Sequence, residues 1–157
     1  YVGPVPFPII LLLALVALGQ FILVRTKFGR YSCAIGGNKE AARLSGVKVD
    51  FYIIMTFVMG GVMAAMSGVV YASRLLSVTP LAGQGYELDA IASAILGGTS
   101  TLGGVGTVFG ALIGSLIIST LTTGLQILNV APAWQYLVKG GVLVLAVLAD
   151  VYFKRNK

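Results

Sequence analysis

Histidine is absent, cysteine occurs once, and Asp and Glu together number five in 157 residues. Without histidine there is no Ser–His nucleophilic pair, no HExxH zinc site and no histidine-ligated haem. The lone Cys33 excludes an intramolecular disulfide and carries no inferred chemistry. Charge is scarce too: 10% of residues, against about a quarter in ordinary soluble domains. What is abundant is apolar side chain, 57% of the chain. These proportions imply an integral membrane protein with no catalytic residues, metal ligands or cofactor of its own.

The charges it does have are clustered. Arg25, Lys27, Arg30, Lys39, Arg43 and Lys48 fall within 25–50, and Lys154, Arg155 and Lys157 end the chain. Membrane proteins retain such basic segments on the cytoplasmic side, which puts Cys33 there as a reduced thiol and Arg74 to Leu88 outside. The net charge of +6 therefore reflects topology, and no aromatic-basic motif accompanies it that would bind nucleic acid. The sequence opens at Tyr1 with no basic segment before its first apolar run, so it reads as part of a longer protein rather than one led by a signal peptide.

The segment 25–50 is the long polar interruption. Gly36-Gly37-Asn38 reads as loop and N-cap, Lys39-Glu40-Ala41-Ala42-Arg43-Leu44-Ser45 as two helical turns, and Gly46 as the stop. Glu40 near the start and Arg43 near the end suit the helix dipole. Ala41, Ala42 and Leu44 remain as a small contact surface.

Apolar runs place membrane spans at about 8–24, 51–73, 107–128 and 133–149, with Pro8 in the first turn of one and Asp50 capping the next. Gly60, Ala64, Gly68 and Ala72 recur every four residues, as do Gly106, Gly110 and Gly114, and each set forms a stripe on which another helix can pack closely. Residues 75–88, with Pro80, Gly83 and Gly85, cannot form one regular helix. Between 87 and 104 the apolar stretch Ala90 to Leu96 is too short to span about 30 Å of hydrocarbon, and Gly97-Gly98-Thr99-Ser100-Thr101-Leu102-Gly103-Gly104 interrupts it. Irregular backbone at membrane depth occurs where protein or a water-filled cavity surrounds it, so this broken element is the first candidate for a transport path. Counted as one pass it gives five crossings, in an all-α polytopic transmembrane bundle with one broken helix and a short cytoplasmic helix.

Gly98 to Gly103 matches the first half of a phosphate-binding loop, but Gly104-Val105 stands where Lys and Ser or Thr would meet phosphate and magnesium. Gly83-Gln84-Gly85 lacks the third glycine and the preceding strand of a dinucleotide fingerprint. Glu87 and Asp89 suit the start of a helix by charge and could also bind substrate hydroxyls. Lys139 lies about 8 Å into the last span counted from Trp134, where an ammonium is either functional or snorkelling. Gln84, Tyr86, Gln126 and Asn129 supply amide and aromatic groups of the kind a sugar path uses.

Three blocks, AIGGNKEAARLSGVKV, GYELDAIASAILGGTSTLGGVGTVFGALIG and WQYLVKGGVLVLAVLAD, in this order resemble the C-terminal half of bacterial monosaccharide ATP-binding-cassette importer permeases, the ribose, xylose, galactose and arabinose group. The resemblance runs from about Arg25 to Asp150, and the ending DVYFKRNK leans toward xylose-type members. It implies a multi-pass inner-membrane subunit that pairs with a second permease copy, receives sugar from a periplasmic binding protein and is driven by a separate ATPase. By the same resemblance Glu40-Ala41-Ala42 and Gly46 match the EAA-x3-G core of the cytoplasmic coupling helix, here without the Leu-Pro pair that often follows. A branched-chain amino acid permease and a truncated, non-transporting scaffold are the alternatives.

Overall fold

A computed structural model describes residues 6–75 and 83–155. Among them are seven helices and no strand: α1 Phe7–Arg25, α2 Lys27–Gly37, α3 Lys39–Leu44, α4 Val49–Leu75, α5 Tyr86–Leu96, α6 Val108–Ile127 and α7 Pro132–Arg155. Four are long and apolar enough to cross a membrane: α1, α4, α6 and Pro132–Tyr152 of α7. The helices fall into two units, Tyr1–Gln84 and Gly85–Lys157.

In the first unit α1 carries Pro8 in its first turn and stops at Thr26, whose backbone is extended at φ −100° and ψ 160°. Thr26 serves both neighbours: its hydroxyl donates to the Ile22 carbonyl at 2.6 Å and accepts from the Gly29 amide at 3.4 Å. The chain turns so tightly that a Cβ at Gly29 would lie on the Leu23 backbone. Segment 27–37 is thus a helix, not loop. Gly36 and Gly37, expected to lead into the next helix as loop, form the last turn of α2. A helical glycine costs about 1 kcal/mol relative to alanine. The opposing gain is an aromatic face, with Tyr52 of α4 meeting Phe28 at 5.9 Å and Tyr31 at 5.2 Å between ring centroids.

The α4 helix begins two residues before the expected 51 and ends two after 73. Asp50 sits inside its first turn rather than capping it, and reaches Arg43 at 3.7 Å across an exposed gap. An exposed pair of this kind contributes about 0–1 kcal/mol.

In the second unit α5 packs on both α6 and α7. At 11 residues it is about 16 Å long. The α7 helix outruns the expected 133–149: it continues to Arg155 and carries Asp150 within it rather than in a tail. Three helices end alike. In α3, α5 and α6 a left-handed residue follows the cap, namely Gly46 (φ 81°), Gly98 (φ 84°) and Asn129 (φ 52°). The next amide, that of Val47, Thr99 or Val130, returns to the carbonyl of Ala42, Ala94 or Leu125 at 3.0–3.1 Å. This satisfies a carbonyl that would otherwise face hydrocarbon or solvent unpaired. The expected proline-led approach at Pro4, half of the irregular stretch 75–88 and the final two residues lie outside the described residues.

Candidate functional site

The broken element is built on glycine. A Cβ at Gly110 would overlap the Gly97 carbonyl, and one at Gly114 the Ser93 carbonyl, so α5 and the first half of α6 touch backbone to backbone. The pairings 97 with 110 and 93 with 114 run in opposite directions, which makes α5 and α6 an antiparallel hairpin. Between them the chain is irregular from 97 to 107. Ser100 ties this loop together. It is buried, its amide donates to Val105 O at 2.9 Å, and its carbonyl and hydroxyl accept from the amides of Gly103 and Leu102. Gly103 and Gly104 have φ of 89° and 81°, a region costly for residues with a Cβ. Thr99 packs under Gly106, and Thr107 caps α6 by accepting from the Gly110 amide at 3.0 Å.

The α7 helix lies alongside this element through polar contacts at widely separated levels. Near its start, a Cβ at Gly85 would be 3.0 Å from the Tyr136 ring. Further in, Lys139 Nζ donates to Asp89 Oδ2 at 2.8 Å, with side-chain exposures of only 14% and 22%. Near its other end, Asp150 Oδ2 accepts from the amide and hydroxyl of Thr101 at 3.3 and 3.2 Å. Lys139 and Asp150 are 11 residues apart, three helical turns, and therefore share one face about 16 Å long. Removing one partner of this half-buried pair leaves a largely shielded charge unpaired, at a cost below the about 3–5 kcal/mol of a fully buried pair.

Of the residues expected along a path, Asp89 and Lys139 are brought together, and Gly97, Gly98, Thr99 and Ser100 form the break and its turns. Glu87 bends back to accept from the Gly85 amide at 3.1 Å, consistent with a role at the start of α5. Gln84 and Tyr86 are exposed. Gln126 and Asn129 sit together at the far end of α6, where the positive φ of Asn129 makes it the helix stop. The Thr101–Asp150 bond and the contact of Gly85 with Tyr136 were not foreseen. Both join positions about fifty residues apart, and nothing local in either segment signals them.

The expected two-turn helix is present as α3, with Asn38 Oδ1 accepting from the Ala41 amide at 3.0 Å and Ser45 as its C-cap. Its contact surface divides. Ala42 is buried at 6% exposure inside its own unit, whereas Leu44 is 88% exposed, an apolar side chain at the end of a polar helix. Lys39, Glu40, Ala41 and Arg43 are exposed as well.

The family described as the branched-chain amino acid transport system permease component matches residues 2–147. The xylose transport system permease protein of Haemophilus influenzae is 48% identical over 152 residues, covering 97% of this chain and 40% of that protein. The ribose import permease protein of the same organism is 43% identical over 157 residues, 100% and 49% of the two chains. The D-allose transport system permease protein of Escherichia coli is 45% identical over 146 residues, 93% and 45%. The chain thus spans less than half the length of these relatives. No solved structure matches it. With membrane-length helices, a glycine-built break and a match over nearly its whole length, the chain belongs to the branched-chain amino acid transport system permease family, among relatives that are sugar permeases.

Proposed function

We propose that this chain is part of the transmembrane subunit of an ATP-driven monosaccharide importer, in which segment 90–104 borders the sugar path and α3 docks on a separate ATPase. Exposed Leu44 on the short, doubly capped α3 carries the coupling part of this reading. A helix this short does not persist in water without tertiary partners, and its own unit covers only the Ala42 side. A groove on an ATPase would cover the rest.

In this reading the broken element makes a full pass. Segment 85–101 follows α7 from Tyr136 to Asp150, 14 residues or about 21 Å, most of a bilayer core. With α1, α4, α6 and α7 this gives five crossings. Cys33, α3 and the C-terminal end are then cytoplasmic, in keeping with their basic surroundings. A second permease copy and a periplasmic sugar-binding protein complete the importer.

Sugar is favoured over an amino acid by the three sugar-permease relatives. Uptake of labelled xylose, ribose, allose and leucine into cells carrying the complete permease with its partner subunits tests this. One of the sugars is expected to accumulate, and accumulation of leucine alone would establish the amino acid reading instead.

A further inference from the structure

We propose that Asp89 and Lys139 are a positioning pair, an electrically neutral clasp that fixes the register of half-helix α5 on α7 without touching the transported molecule. The two sides of α5 are specified differently. Toward α6 the fit is steric, glycine against backbone at Gly97, Gly110 and Gly114, which sets how closely the helices approach. Toward α7 the ion pair acts early in α5, and Thr101 with Asp150 acts just beyond its end. In a bilayer, apolar side chains pack nearly as well against lipid as against each other, so apolar packing discriminates weakly between helix registers. A half-buried ion pair discriminates more, because a slip of one turn leaves two largely shielded charges unpaired. What the fold requires is then the neutrality of the pair, and neither charge alone.

This assignment rests on the permease reading only for its transport arm, since its stability arm needs no substrate. The full-length permease is purified in detergent as wild type, Asp89→Asn, Lys139→Gln and the double variant. Each single variant, with one half-buried charge left unpaired, is expected to melt at least about 5 °C lower and to take up sugar more than about tenfold more slowly. The double variant is expected to melt within about 2 °C of wild type and to transport within about threefold of it, with KM for the sugar unchanged. A double variant as unstable as the worse single would overturn the clasp, because restoring neutrality would then restore nothing, and one that loses the sum of both would overturn it by showing that the two residues act separately. Restored melting with KM raised more than about tenfold would also overturn it, by placing the pair in contact with sugar. If the wild-type protein carries no sugar the proposed function fails, while the melting series still decides the clasp.

Discussion

Two stripes of small residues at the same four-residue spacing meet different fates. On α6, Gly110 and Gly114 lie against the backbone of α5, and an added methyl would overlap the carbonyls of Gly97 and Ser93. On α4, Gly60 and Gly68 have no neighbour in their unit within 4 Å of such a methyl. A stripe therefore states that a helix can accept a close partner; whether the chain itself supplies that partner is decided elsewhere. Unit Gly85–Lys157 spends its stripe internally, while unit Tyr1–Gln84 presents its own outward.

The largest expected effect breaks the filled stripe. Gly114→Leu forces a side chain into the Ser93 backbone, at a cost of more than about 4 kcal/mol, and is expected to abolish folded protein. Gly68→Leu in the same 157-residue chain is expected to change stability by about 0.5 kcal/mol or less. Protease resistance of the membrane-inserted chain measures both. Equal loss from the two substitutions would erase the distinction between the stripes.

A smaller effect tests the helix stops. Gly98→Ala places a Cβ at φ 84° and is expected to cost about 1–2 kcal/mol. Asn38→Ala removes the side-chain acceptor from the first turn of α3 and is expected to cost about 1 kcal/mol. Thermal melting in detergent ranks these two, with Gly98→Ala expected to lower the midpoint more than Asn38→Ala.

The same contrast governs what could be read beforehand. Limits set by local chemistry were legible: Asn38 and Gly46 delimit α3 to within a residue, and the apolar runs locate α4 and α6 to within two. The segment α2 was not, because Gly36-Gly37 reads as loop and the gain that overrides it comes from Tyr52, outside the segment. Asp150 read as tail because charge ends an apolar run, yet it lies on α7 and Thr101, 49 residues away in the irregular segment 97–107, gives it a partner. Asp89 and Lys139 were each picked out singly, and their pairing across 50 residues is a tertiary fact with no local signature.

The division of α3 into a buried and an open side makes the most direct test of the account. Leu44→Asp and Ala42→Asp are compared in the complete permease with its partner subunits, scoring membrane amount and co-purification of the ATPase. Leu44, 88% exposed, should tolerate the charge within its own unit, so Leu44→Asp is expected to leave membrane amount at wild-type level while ATPase association and sugar uptake are lost. Ala42→Asp buries the charge inside its own unit and is expected to lower membrane amount itself. Normal ATPase association and uptake by Leu44→Asp at equal membrane amount would contradict the claim that α3 is the coupling element.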